Sequence, residues 1–224
     1  PVDISRAQLG RVSRELAAAY PSVKIHPVCA DYTSRFELPT SPLGARRVAF
    51  FPGSTIGNFH PPEAAAFLRR VRHAIGPSGA LVLGVDRRKD PAVVEAAYND
   101  AQGVTAAFNL NMLTRLNREL SASFHVPCFR HRAFFDDSAS RIEMHLVSLA
   151  RQSVCVGGET IDFERGETIW TESSYKYDRA RLEALVGSAG LGIERLWTDE
   201  DERFWVALLT PRFSRPMPPR PDRR

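Results

Sequence analysis

The apolar positions of this chain switch between helical and strand spacing, and the switches outline an α/β architecture. Residues 1–3 read as the end of a strand. A helix follows, with Ser5 at its N-cap, Gln8 three residues on, and Leu9, Val12, Leu16 and Ala19 at helical spacing until Pro21. Residues 23–29 are β-rich, and 47–51 (Arg-Val-Ala-Phe-Phe) form an apolar run expected to be a buried strand. Pro61 and Pro62 open a second helix with a stripe of Ala65, Leu68, Val71 and Ile75. The turn at 76–79 leads into a continuous apolar strand, 80–85, that ends in Asp86. This alternation predicts a parallel sheet covered by helices. Ligands in such sheets sit beyond the carboxyl ends of the strands. Asp3, Asp31, the loop at Gly53 and Asp86 all fall there.

After residue 90 the pattern changes. Helices are predicted over 92–99 and 104–120, and strands over 132–135, 142–150, 153–156 and 168–175. A helix over 179–188 and a hairpin of 193–198 with 204–210 follow. Residues 212–224, rich in Pro and Arg, are expected to form a disordered tail.

Composition narrows the classes. The chain has 224 residues, 43% hydrophobic and 25% charged, which suits one soluble domain or one with a substantial insertion. The net charge of +4 comes from scattered Lys and Arg, so a solvated basic surface is expected rather than a nucleic-acid interface. Cys29, Cys128 and Cys155 are far apart and form no CxxC pair, so neither a zinc site nor a disulfide framework is expected. Buried free thiols in a reducing cytoplasm are the simplest account. No apolar run approaches the roughly 20 residues of a membrane span, and no signal-peptide pattern opens the chain. The expected setting is cytoplasmic.

Several residues are placed to carry chemistry. Asp3 and Asp31 each follow a strand; such acids bind ribose hydroxyls or an adenine amino group, or cap a helix. In Phe51-Pro-Gly-Ser-Thr-Ile-Gly-Asn-Phe59, Gly53 and Gly57 would let the backbone approach a ligand closely. Asn58 could grip an amino acid's ammonium or carboxylate, or cap a helix. The charged run 86–90 reads as a solvated loop, and Tyr98 as helix packing. In Trp170-Thr-Glu-Ser-Ser-Tyr-Lys-Tyr177, Glu172 and Ser174 share a strand face and could bracket the two nitrogens of an imidazole. The same residues also suit a half-exposed strand face. Met144 would line such a pocket or sit in the core.

Five stretches carry a resemblance: Pro-Val-Asp-Ile-Ser (1–5), Phe-Phe-Pro-Gly-Ser-Thr-Ile-Gly-Asn-Phe (50–59), Ala-Tyr-Asn-Asp-Ala-Gln-Gly-Val-Thr-Ala-Ala-Phe-Asn (97–109), Arg-Ile-Glu-Met (141–144) and Ile-Trp-Thr-Glu-Ser-Ser-Tyr-Lys-Tyr (169–177). The chain resembles, over residues 1 to about 211, the histidine-specific Nα-methyltransferases, which trimethylate histidine to hercynine in ergothioneine biosynthesis. The resemblance implies a Rossmann-like class I methyltransferase sheet, N-terminally truncated, with an inserted α+β substrate-binding domain. It implies a partial cofactor-binding domain at 1–90, a mainly inserted substrate-recognition domain at 91–178 and a return to the methyltransferase sheet at 179–211. The cofactor would be S-adenosyl-L-methionine, held by Asp3 (ribose), Asp31 and Tyr32 (adenine) and Gly53. L-Histidine would be held by Asn58 and Tyr98 at the amino-acid end and by Glu172, Ser174 and Met144 around the ring. Family members carry about a hundred further residues before the first motif, including a glycine-rich cofactor loop.

The expected mechanism is one of positioning, with no dedicated catalytic residue, no metal and a monomeric enzyme. Two alternatives stay open: a relative acting on another amino acid, and an incomplete, non-catalytic remnant or subunit.

Overall fold

The computed structural model describes residues 1–34, 36–40, 42 and 44–212. The expected tail therefore lies, from residue 213 on, outside the described residues. Strand β1 (Val2–Asp3) pairs in parallel with β2 (Val28–Cys29), and α1 (Arg6–Ala19) connects them. Ser5 caps α1 by accepting the Gln8 amide at 3.4 Å. The strand expected over 23–29 is shorter because only Val28 and Cys29 reach a partner in β1.

Four strands form the main sheet in the order β10 (Leu191–Thr198), β11 (Phe204–Pro211), β4 (Ala80–Asp86), β3 (Val48–Phe51). β3 and β4 are parallel, and β11 runs against both of its neighbours. The sheet is thus mixed rather than wholly parallel, because the closing hairpin folds back between β10 and β4. Helices α2 (Pro61–Ile75) and α5 (Arg179–Ser188) cover one face. There Phe67, Leu68, Leu182 and Val186 pack on Leu81, Leu83, Val85, Ala207 and Leu209. The period of 3.6 on the helices and 2 on the strands selects these residues.

The opposite face is open at β3, where Val48 is 56% and Phe50 71% exposed. The expectation of a buried strand over 47–51 is corrected here. β3 is an edge strand of the described sheet, and only its inward residues, Ala49 and Phe51, meet the core.

Two helices, α3 (Pro91–Tyr98) and α4 (Val104–Leu120), pack on a second, antiparallel sheet. Its order is β5 (Phe129–Asp136), β6 (Arg141–Ser148), β9 (Thr168–Tyr175). A hairpin of β7 (Gln152–Val156) and β8 (Glu159–Phe163) lies between β6 and β9 in sequence. β8 was not expected, because four of its five residues are exposed and only Ile161 and Phe163 are apolar, too short an alternation to mark a strand. The thiols are unpaired, but Cys29 and Cys155 are exposed, not buried. Both sit on short, two-stranded sheets with an open face.

The two larger sheets are joined at one seam. Arg87 bridges Tyr177 in parallel, the Tyr177 amide donates to the Asp86 carbonyl (2.9 Å), and the Arg88 amide donates to the Tyr177 carbonyl (2.9 Å). The carboxyl end of β4 therefore lies beside the carboxyl end of β9.

Candidate functional site

A cavity of about 420 Å³ opens at that seam. It is lined by Gly53, Ser54, Thr55 and Asn58 from the loop after β3, Asp86 from β4, Tyr98 from α3, Glu172, Ser174 and Lys176 from and after β9, and Phe204.

Three local devices build it. Ser54 adopts a left-handed conformation (φ 55°), and its hydroxyl accepts the Asp86 amide at 2.8 Å, tying the loop to the end of β4. Gly57 is buried, and a Cβ there would lie 2.7 Å from the Tyr175 carbonyl oxygen. Its role differs from the one expected: the close approach is to the backbone of β9, not to a ligand. That contact brings Asn58 up to the same cavity as Glu172 and Ser174.

The third device is a bulge. Met144 pairs with Glu172 and His145 with Trp170, so Thr171 is the extra residue, and its hydroxyl donates to the Met144 carbonyl (2.9 Å). Bulges re-aim the side chains beside them. After it Glu172, Ser174 and Lys176 line one cavity.

Tyr98 ends α3, and that end is fastened to β5. The Asn99 side chain donates to the Ala133 carbonyl (3.0 Å) and accepts the Ala133 amide (3.2 Å). Glu95 accepts the Phe135 amide (2.8 Å), and a His131 ring nitrogen lies 2.8 Å from the Tyr98 carbonyl. The Tyr98 hydroxyl lies 2.8 Å from Ser174 Oγ.

The polar groups facing the cavity divide into free and engaged. Among the described residues the Asn58 side-chain amide and the Glu172 carboxylate have no hydrogen-bond partner. Burial pushes the Glu172 carboxyl above its usual value, with the Lys176 charge opposing. A partly desolvated, unpaired acid in a cavity marks a binding site more often than a packing position. Lys176 is engaged and only 2% exposed. Asp86 meets it at 2.8 Å and also pairs with Lys89.

Of the residues the sequence singled out, Gly53, Asn58, Tyr98, Glu172 and Ser174 come together here. Met144 does not line the cavity; it is 3% exposed and packs with Val94, Ala133 and Ile142. Asp86 was read as part of a solvated loop and instead faces the cavity, because its carboxylate neutralises a buried lysine. Lys176 was missed, although it continues the same alternate spacing after Glu172 and Ser174. Ser54, Thr55 and Phe204 were missed as well, and Phe204 carries no local signal.

Asp3, Asp31 and Tyr32 form a second group at the ends of β1 and β2. Asp3 accepts the Ser5 amide at 2.7 Å. Asp31 accepts the Thr33 amide (2.7 Å) and hydroxyl (2.6 Å), and those bonds hold its carboxyl below the usual range. Burial, then the charges of Asp3 and Asp31, pushes the Tyr32 hydroxyl up. The Tyr32 ring sits edge-on to Phe51, with centroids 5.8 Å apart, which sets the group near the Gly53 loop. Asp3 Oδ2 has no partner among the described residues, and Asp31 stays exposed. Two carboxylates close to an aromatic hydroxyl suit a ligand rich in hydroxyl and amino donors, such as an adenosine.

The architecture defines a class. It matches a crystal structure of an S-adenosylmethionine-dependent methyltransferase from Clostridium acetobutylicum with a TM-score of 0.50 at 11% identity, covering 95% of this chain and 74% of that one. The two share a Rossmann-like α/β fold. The chain belongs to the family described as histidine-specific, SAM-dependent methyltransferases, whose sequence profile matches residues 1–211. Similar proteins include histidine N-alpha-methyltransferases of Mycobacterium tuberculosis (40% identical over 210 residues) and Mycolicibacterium smegmatis (38% over 210). In each case the match covers 93% of this chain and 65% of the relative's length.

Proposed function

We propose that this chain recognises L-histidine in the 420 Å³ cavity and takes part in methylating its α-amino nitrogen from S-adenosyl-L-methionine. The product would be trimethylhistidine (hercynine), for ergothioneine biosynthesis. The observation that carries the reading is the convergence of Asn58, Tyr98, Glu172 and Ser174 on one cavity, within a family described as histidine-specific. On this reading residues 91–178 mainly recognise the substrate, and 1–90 with 179–211 hold the cofactor. The enzyme is read as cytoplasmic and monomeric; among the described residues no helix is long and apolar enough to cross a membrane.

When bound, S-adenosylmethionine supplies a methyl group on a positively charged sulfur. The residues of this chain position the acceptor. Asn58 offers its free amide to the substrate's ammonium or carboxylate, and Tyr98 supports the same end. Glu172 accepts from a ring N–H, and Ser174 meets the other ring nitrogen. An in-line displacement needs the attacking nitrogen about 3–3.5 Å from the carbon with its lone pair aligned. Fixing both ends of the amino acid achieves that. The nitrogen attacks as the neutral amine, and loss of its proton to solvent suffices. Asp3, Asp31, Tyr32 and Gly53 hold the adenosine and the adjoining chain of the cofactor.

The test is incubation of the protein with S-adenosylmethionine and each of L-histidine, L-phenylalanine and L-tryptophan, followed by mass spectrometry. Mass increases of one to three methyl groups on histidine alone support the reading. Methylation of tryptophan or phenylalanine in preference contradicts it.

A further inference from the structure

The stretch 97–109 gives the cavity one side chain, Tyr98, yet its other polar residues are engaged one after another. Asn99 pairs with both backbone groups of Ala133. Asp100 starts α4, accepting the Val104 and Thr105 amides at 2.8 Å each. Asn109 stands farther along α4 and is 3% exposed. Its side-chain nitrogen meets the His145 carbonyl at 3.2 Å and His131 Nδ1 at 3.0 Å. The other nitrogen of that ring, Nε2, lies 2.8 Å from the Tyr98 carbonyl.

These contacts leave one assignment of protons. A carbonyl only accepts, so the Asn109 group facing His145 is the NH2 end of its amide. The same NH2 faces His131 Nδ1, which must therefore accept. The ring proton is then on Nε2, and it donates to the Tyr98 carbonyl. That carbonyl is one of the last four of α3, which the helix cannot pair internally. Tyr98 is thus fastened twice. Its main chain is held through His131 of β5 and Asn109 of α4, and its hydroxyl meets Ser174 Oγ at 2.8 Å. His131 and Asn109 themselves stand behind the cavity lining.

We propose that His131 is a positioning residue for substrate binding: held by Asn109 as its Nε2–H tautomer, it fixes the end of α3 so that the Tyr98 hydroxyl meets the ligand. A tilt of the last turn of α3 would displace that hydroxyl, at the far end of the ring. Glu172 and Ser174, carried by a paired strand, would stay in place. The inference rests on the histidine reading and names how one of its contacts is held.

The experiment is calorimetric titration of L-histidine and, separately, of S-adenosylmethionine into His131 variants. An asparagine side chain reaches about as far as Nδ1, a glutamine about as far as Nε2. His131→Asn should therefore keep the Asn109 contact, lose the one to Tyr98, and weaken histidine binding by about fivefold, the scale of one hydrogen bond. His131→Gln should stay within about twofold of the unsubstituted protein, and S-adenosylmethionine binding within about twofold in both variants. Tyr98→Phe has no hydroxyl to aim, so adding His131→Asn to it should cost less than about a further twofold. Should His131→Asn not fold, His131→Phe, which keeps a ring without its donor, takes its place with the same expected losses. Unchanged histidine affinity in His131→Asn, a glutamine variant as weak as it, the full loss in the Tyr98→Phe background, or a loss shared with S-adenosylmethionine overturns the inference and leaves the substrate reading standing. Absence of histidine binding by the unsubstituted protein overturns the substrate reading, and this inference with it.

Discussion

The hydroxyl oxygens of Tyr98 and Ser174 lie 2.8 Å apart, although 76 residues separate them in sequence. One ends helix α3 and the other stands in strand β9, so their contact is where the second sheet and its helix commit to one ligand geometry. Groups in one hydrogen-bond network are not energetically independent. Tyr98→Phe and Ser174→Ala are each expected to weaken histidine binding, and the double variant to lose less than the sum. Calorimetric titrations over the full cycle should give a coupling of about 1 kcal/mol or more. Additivity within about 0.3 kcal/mol would show that the two hydroxyls act on the ligand independently.

Glu172 should cost the fold stability. Burial raises its carboxyl above the ordinary 4.5, so above that pH the folded state binds more protons than the unfolded state. Stability contributed by this residue therefore falls as pH rises through that window, and the penalty is complete above the folded pKa. Glu172→Gln cannot ionise. Thermal unfolding near pH 7.5 should show a higher Tm for Glu172→Gln than for the unsubstituted protein, with the gap closing below pH 4.5. The same variant should bind histidine more weakly, a trade between stability and function.

Gly57 fixes the loop that carries Asn58. An alanine Cβ would stand 2.7 Å from the Tyr175 carbonyl oxygen and 3.3 Å from its nitrogen, and because these are backbone atoms of a paired strand there is no flexible side chain to yield. Gly57→Ala is expected to destabilise the fold by about 1–3 kcal/mol in denaturant unfolding. It should also weaken histidine binding, by moving Asn58 away from β9. Unchanged stability with normal binding would show that the loop relaxes freely.

What could be read in advance followed from local pattern. The α5 span, the Ser5 cap and the shared face of Glu172 and Ser174 each rest on residues within a turn or a strand. What could not be read depends on distant partners. Asp86 looks like one charge among five until β9 brings Lys176 to it from 90 residues away. Gly57 looks ligand-facing until Tyr175 fills the space beside it. Val48 and Phe50 look like core residues, yet they face outward on an edge strand whose apolar composition does not say which face is covered. The family resemblance supplied Tyr98, which no local signal distinguishes from packing.

The central claim is that Glu172 reads the ring of the substrate and does not serve the cofactor. Calorimetry on Glu172→Ala with L-histidine and, separately, with S-adenosylmethionine tests it most directly. Removing the carboxylate should lower histidine affinity by at least about tenfold, the scale of a lost charge-assisted hydrogen bond, about 1.5–3 kcal/mol. S-adenosylmethionine affinity should stay within about threefold, since Asp3 and Asp31 lie in a different group at the ends of β1 and β2. Equal losses for both ligands would contradict the account.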